Sequence, residues 1–395
     1  MSSDKRLHVV FWRWYSASAG WGGSEARLLS YLRELDPLRA RATILTNIDL
    51  FSDRLEKLAL PVHVELFSGN SYEGRLQRSV AIVRVLRRLH PDRLVVLQGG
   101  FRDFLLSDLL CAAIASFPRV RRPTEFHLSS PDQPPASESE KKRIALRGSI
   151  AAQVVAVSEG ARARMVEWYG YSRTRTRVIH HGVDPQRFDL EPEFQQACRS
   201  TVRMRFGIPE DATVVVSCSR FSPEKHLDWI ADASVELGAR RPEVHWLFVG
   251  DGPLLEPIRS RLATSDVRER VHFAGFVPDV RDYLFASDIF VLASDVEGLS
   301  NSMLEAMAAG LVTVCTKAPG AEDAIVHSRT GWLCEISAED VLRQLAQSLE
   351  MTPSARAAMR ESARESIRTR FDVRVGICRA LSAIGIPRRS PTAAG

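Results

Sequence analysis

The feature that most narrows what this chain can fold into is an alternation. Short runs rich in β-branched and aromatic residues alternate with longer amphipathic segments, in two successive series. In the first series Leu7 to Trp14, Arg41 to Thr46, Val62 to Leu66, Arg93 to Leu97, Thr124 to His127, Gln153 to Val157 and Arg177 to His180 read as strands. A Gly-rich stretch (Gly20, Gly22, Gly23) precedes a helical pattern with Leu28, Leu29, Leu32 and Leu35. Arg75 to His90 places Leu76, Val80, Val83, Leu86 and Leu89 on one helix face. The second series predicts strands at Thr213 to Ser217, His245 to Val249, Val271 to Ala274, Ile289 to Ala293 and Leu311 to Cys315. Helices are predicted near 226–241, 254–264, 279–286 and 302–309, and 353–380 reads as helical. Strands alternating with helices make βαβ units and parallel sheets.

At 395 residues the chain exceeds one ordinary core. The expected class is α/β, with two Rossmann-like doubly wound domains facing a central cleft. Such domains bind ligands at the carboxyl ends of their strands. The expected division is 1–190, a connection at 191–211 with its polar residues and breakers, 212–375, and a helix end and tail at 376–395. The Pro-rich segment Pro131 to Ser139 is expected to be a mobile loop.

Composition excludes several classes. Hydrophobic residues make up 45% and charged residues 26%, so the chain is neither fibrous nor largely disordered. No apolar run approaches the ~18–20 residues that span a bilayer. The longest, around Leu109 to Phe117, reads as a buried helix. The N-terminus lacks the apolar core of a signal peptide and reads as a first strand. The six cysteines include no C-x-x-C pair, so neither a disulfide framework nor a zinc site is expected, and a reducing cytosol fits. The net charge of +5 divides into +8 over residues 1–200 and −3 over the rest. A basic first half could steer an anionic acceptor or touch the inner face of a membrane peripherally. Arg-rich solvated helix faces explain the same numbers. For Arg75 to His90 a crossover helix is the preferred reading. No nucleic-acid partner is expected.

The chemistry concentrates in the second series. Ser219-Arg220-Phe221-Ser222-Pro223-Glu224-Lys225 sends two cations from one strand end. A diphosphate there would meet Arg220 as a planar fork and Lys225 as a point charge. A solvated loop pair is the plain alternative. Further on, the strand at Ile289 runs through Glu297-Gly298-Leu299-Ser300 into a helix containing Glu305. A helix N-terminus offers free N–H groups suited to phosphate. Glu297 on the loop could hold sugar hydroxyls and Glu305 ribose hydroxyls. The plain alternative is that Ser302 and Glu305 form an S-x-x-E capping box.

Taken in order, SRFSPEK, FVGDGP and VHFAGFVPDVRDYLFASDIFVLASDVEGLSNSMLEAMAAGLVTV resemble the donor domain of retaining glycosyltransferase family 4, over about 215–335. Gly22-Gly23-Ser24-Glu25 resembles the family's glycine-rich loop. Val157-Ser158-Glu159 and His181-Gly182-Val183-Asp184 resemble its segments near the domain junction. The resemblance implies a GT-B fold and an EC 2.4 transferase. It implies sugar transfer from a nucleoside-diphosphate donor, UDP- or GDP-linked, to a hydroxyl acceptor, with retention and without a required metal or other cofactor. The absence of any Asp-x-Asp triplet agrees. It also implies roles. Arg220 and Lys225 neutralise the diphosphate. Glu305 holds the ribose. Glu297, Gly298, Leu299 and Ser300 face the sugar. Phe276 and Val277 receive the base. Gly22 and Gly23 approach the donor, and His127 stands near the sugar.

There are departures. His181 stands where the family has Asn, and Ala318-Pro319-Gly320-Ala321-Glu322 replaces the commoner Gly-Gly version, which leaves the sugar open. The acceptor is also open: natural product, lipid-linked or polysaccharide. So is oligomeric state. Trp12 and Trp14 read as core, and Trp21 as the better acceptor-site candidate. A nicotinamide oxidoreductase would need G-x-G-x-x-G, but Gly250-x-Gly252 lacks its third glycine. The remaining alternatives are a non-catalytic sugar-nucleotide-binding protein and another GT-B enzyme such as an epimerase.

Overall fold

The computed structural model describes residues 6–15, 23–66, 75–98, 106–117, 123–127 and 131–388. The chain divides into two units, 1–181 with 375–395, and 182–374.

The first unit contains β1 (Leu7–Arg13), α1 (Gly23–Glu34), β2 (Ala40–Thr46), α2 (Ser52–Lys57), β3 (Val62–Leu66), α3 (Arg75–Leu89), β4 (Arg93–Gln98) and α4 (Leu106–Ser116). It continues with β5 (Thr124–His127), α5 (Glu138–Ile150), β6 (Gln153–Ala156), α6 (Glu159–Tyr169) and β7 (Thr176–Val178). All seven strands pair in parallel, in the order β3-β2-β1-β4-β5-β6-β7. Right-handed crossovers then place α3 to α6 on one sheet face. Parallel sheets are covered on both faces, which is why β1 and β4 read as continuous apolar runs. Trp12 is 1% exposed among Val10, Leu45, Ile82 and Val96. Trp14 packs at the edge of that cluster.

The Leu109 helix is buried on one side only. Leu109 and Ala112 are inside, whereas Leu110, Ile114 and Phe117 are 43%, 63% and 68% exposed. The segment after Pro131 is tied down rather than loose. Its Pro131 carbonyl accepts from Arg164 at 2.9 Å and its Gln133 carbonyl from the Tyr169 hydroxyl at 2.7 Å.

The second unit opens with α7 (Pro192–Phe206), followed by β8 (Thr213–Cys218), α8 (Leu227–Arg240), β9 (Val244–Val249), α9 (Leu255–Ala263) and β10 (Val271–Gly275). Then come α10 (Arg281–Phe285), β11 (Ile289–Leu292), α11 (Asn301–Ala309), β12 (Val312–Thr316), α12 (Ala321–Ala324), β13 (Trp332–Cys334), α13 (Ala338–Leu349) and α14 (Pro353–Arg370). Its six strands are parallel in the order β10-β9-β8-β11-β12-β13.

Residues 191–211, read from sequence as a connection, are mostly the helix α7 of this unit. Arg203, fully buried, is the reason. Its guanidinium donates to the carbonyls of Pro209, Glu210, Ala212 and Ala286 at 2.7–3.1 Å and to Asp288 at 3.2 Å. One side chain thus satisfies the turn between α7 and β8 and the approach to β11. Residues 353–380 are not one helix. The helical pattern breaks at Phe371-Asp372, where Val183 pairs with the chain, and α15 (Val373–Ala383) follows. Most of α15 belongs to the first unit, where Arg93 donates to the Ile384 carbonyl at 3.1 Å.

Candidate active site

In the second unit β8 and β11 are neighbours, although β9 and β10 lie between them in sequence. The order reverses there, so the chain leaving β8 and the chain leaving β11 diverge and open a crevice at the strands' carboxyl ends. Both sequence constellations fall on these two exits.

After β8 the backbone passes Arg220 and tightens into a 3-10 turn, Pro223–Lys225. Gly250 and Gly252 make this possible. Each has a positive φ, and a Cβ there would meet the Ser219 carbonyl oxygen at 1.9 Å or the Phe221 carbonyl oxygen at 2.6 Å. The glycines after β9 therefore serve backbone packing under the Arg220 turn. Arg220 is 71% exposed, 3.8 Å from Glu224. Lys225 turns inward and pairs with Glu297, which also accepts from Ser294 at 3.2 Å.

After β11, Ser300 caps α11, its hydroxyl accepting from the Met303 N–H at 3.3 Å. The capping residue is thus Ser300 and not Ser302. Ser302 lies inside the helix and shares a 3.2 Å hydrogen bond with the Ser300 hydroxyl. This shifts the frame by two residues, so Glu305 closes no capping box. Burial pushes its carboxyl up to about 7, against the pull of Arg187 and Arg281. A half-buried carboxyl that gains its proton near neutral pH, one turn inside a helix, is a hydrogen-bonding group for a polar ligand. The other end of α11 is held by α14. Arg364 donates to the Ala309 carbonyl at 3.0 Å and Arg360 to that of Gly310, which neutralises the negative end of the dipole.

Gly298 and Leu299 are pressed from behind by the loop after β12. Gly320 has φ +93°, and a Cβ there would lie 2.1 Å from the Gly298 carbonyl oxygen. Leu299 is buried and anchors the loop. Phe276 is 75% exposed just past β10, while Val277 packs on the unit's core. His127 ends β5 in register with Gln98, but its side chain lies outside the described residues. Gly22 and Trp21 lie outside them too, and Gly23 is described only as the backbone start of α1. Glu25 of the glycine-rich segment is occupied structurally, with Arg13 at 3.4 Å and the Tyr15 hydroxyl at 3.0 Å.

Comparison with known proteins accords with this geometry. The profile of Glycosyltransferase Family 4 matches residues 21–187, and that of Glycosyl transferases group 1 matches residues 199–366. The chain belongs to the family 4 glycosyltransferases. A GDP-mannose-dependent α-(1-6)-phosphatidylinositol monomannoside mannosyltransferase of Mycolicibacterium smegmatis is 31% identical over 228 residues, which is 55% of this chain and 58% of that protein. An N-acetyl-α-D-glucosaminyl L-malate synthase of Bacillus anthracis is 29% identical over 170 residues, 43% and 44% of the two chains. Among solved structures, Anabaena HepE in complex with UDP has a TM-score of 0.78 at 23% identity, over 96% of this chain and 100% of that one. A Rickettsia africae glycosyltransferase also reaches 0.78, at 17% identity over 96% and 98%. These likenesses establish the GT-B fold.

Sequence reasoning missed several groups around this glycosyltransferase's site. Arg187, Asp279 and Arg281 surround Glu305 electrostatically, with Arg187 and Asp279 3.2 Å apart. His226 and Asp295 face each other at 3.5 Å beside the Lys225–Glu297 pair. No local motif announces such pairs, because their members come from separate segments of the chain.

Proposed function

We propose that the protein transfers a sugar from a nucleoside-diphosphate donor to a hydroxyl acceptor. The observation that carries this reading is the convergence of Arg220, Lys225, Glu297, Glu305 and the start of α11 at the β8/β11 exits. A departing nucleoside diphosphate needs its developing charge neutralised above all. Arg220, Lys225 and the positive end of α11 supply that charge, so no metal is required and no other cofactor is implied. Glu305 receives the ribose hydroxyls. Glu297 and the backbone of Gly298, Leu299 and Ser300 face the sugar, and Phe276 and Val277 border the base. UDP and GDP are the favoured nucleotides, because HepE is solved with UDP and the M. smegmatis relative is GDP-mannose-dependent.

The transfer retains the anomeric configuration. The acceptor oxygen attacks the anomeric carbon on the face from which the diphosphate leaves. The bond to the diphosphate oxygen breaks, and the acceptor proton passes to that oxygen. His127, at the carboxyl edge of the first unit's sheet, is assigned to the sugar side of this step, and Gly22 and Gly23 to close approach of the donor.

A lipid-linked acceptor at the cytoplasmic face of a membrane fits best. Among the described residues no helix is long and apolar enough to cross a membrane. The outer surface of α3 to α5 nonetheless exposes Val80, Leu110, Ile114, Phe117 and Leu146 beside exposed Arg84, Arg87, Lys142 and Arg143. Apolar side chains flanked by cations suit an anionic bilayer surface. The M. smegmatis relative is named for a phosphatidylinositol acceptor.

The test is incubation with UDP- and GDP-sugars and lipid extracts in chelator, with the product's anomeric configuration read by NMR. A retained linkage is expected. An inverted product, or strict dependence on a divalent ion, would overturn the mechanism.

A further inference from the structure

His226 stands in a conformation that L side chains rarely adopt, with φ 42° and ψ 44°, between the Pro223–Lys225 turn and α8. A glycine would take this backbone freely. A larger residue persists in it only where its surroundings hold it, and such residues gather at functional sites. Here two contacts hold the ring. It stacks on Trp229 with centroids 3.9 Å apart and planes 10° from parallel. Its Nε2 lies 3.5 Å from Asp295 Oδ2.

The second contact reaches across the crevice between the β8 and β11 exits. Asp295 lies two residues before Glu297, and His226 directly follows Lys225. The Asp295 N–H donates to the Glu224 carbonyl at 3.2 Å, so backbone and side chain both join the two loops. Lys225 and Glu297 form the third link. The Trp229 stack fixes the ring to the first turn of α8, whose Leu227 and Ile230 are buried in the core. A rigid helix start thereby sets the spacing of two loops that carry ligand-binding groups.

We propose that His226 is a positioning residue that clamps the Lys225 turn to the Glu297 loop. It touches no reacting atom itself. Its action is to hold the cation and the carboxylate in one register before the donor arrives, so that little ordering remains when the ligand binds. The assignment rests on the donor-site reading above.

The experiment uses the full chain and His226→Gly, Asp295→Asn and the double variant. Glycine suits the backbone, so His226→Gly is expected to melt no lower than the wild type. Hydrogen exchange without nucleotide is the first readout. Exchange at residues 294–300 should rise about tenfold in either single variant and no further in the double, because the two act through one contact. His226→Asn, which tolerates the left-handed backbone and can still bond Asp295, should restore part of the protection. The second readout is affinity for UDP and GDP, expected to fall about three- to tenfold in His226→Gly. Unchanged exchange at 294–300 in His226→Gly, whatever happens near Trp229, would overturn the clamp. Raised exchange in a chain whose wild type binds neither nucleotide would uphold the clamp and overturn the donor reading.

Discussion

Lys225 and Glu297 form a closed ion pair across the β8 and β11 exits, with side chains only 14% and 18% exposed. Each partner balances the other's charge. A diphosphate must therefore compete with Glu297 for Lys225. Glu297→Gln removes the competitor and keeps the shape, so UDP or GDP should bind as tightly as before or up to ~10-fold tighter. Transfer should nevertheless collapse, because the sugar loses its carboxylate. Lys225→Ala should weaken binding and leave a partly buried carboxylate unpaired, a loss on the order of 1–3 kcal/mol. Calorimetric titration beside turnover assays separates the two effects. Equal weakening of binding by both variants would contradict this competition.

Glu305 links the site to pH. Its folded value is raised from 4.5 to about 7, chiefly by burial. A carboxyl raised in the folded state stabilises most below its unfolded value. That stability drains away as pH rises through the folded value, here from near 4.5 to about 7. The full loss is on the order of 3 kcal/mol. Glu305→Gln should therefore gain on the wild type between about pH 5 and pH 8 in urea melts, while binding nucleotide more weakly. A pH-independent difference between the two proteins would sink the assignment.

Gly320 offers a test by shape alone. Alanine there meets the Gly298 carbonyl oxygen and adopts φ +93°. The Glu297 loop must shift, or the chain must pay about 1–3 kcal/mol of backbone strain. Gly320→Ala should keep its far-ultraviolet spectrum and lose transfer by an order of magnitude or more, on the scale of a misplaced catalytic group. Wild-type turnover would show that this loop does not support Glu297.

The opposite end of the second sheet carries an acid-sensitive pair. His245 Nδ1 and His272 Nε2 lie 3.0 Å apart with stacked rings. Burial and the neighbouring His245 press His272 down to about 4, and burial lowers His245 as well. A histidine held neutral in the folded state stabilises above its unfolded value. That stability goes as pH falls from about 6.5 towards 4. His272→Gln should flatten the loss of stability over that range, measured by urea melts. An unchanged slope would remove the pair from the acid response.

All strands but the short β13 were legible, because both sheets are parallel and covered, so β1, β4, β9 and β11 are mostly apolar. The segments SRFSPEK and EGLSNSMLE, singled out in sequence, follow the neighbouring strands β8 and β11. The capping-box alternative arose because Ser302 stands three residues before Glu305, and only the backbone shows that Ser300 leads the helix. The helix α13 went unassigned although Val341, Leu345 and Leu349 recur every four residues behind the Ser337 cap. The role of α7 was invisible because it depends on carbonyls that Arg203 gathers from two segments, Pro209 to Ala212 and Ala286. The His226–Asp295 contact joins residues 69 positions apart in sequence and has no local signature.

If the proposed donor site is right, the β8/β11 exits bind a nucleoside diphosphate through Lys225. The most direct measurement is calorimetric titration of the full chain with UDP, GDP, ADP and TDP in chelator, repeated with Lys225→Ala. The wild type should bind one nucleotide without metal, and the variant at least tenfold more weakly, on the scale of one lost charged contact. A well-folded wild type that binds none of them, or a variant that binds as the wild type does, would contradict it.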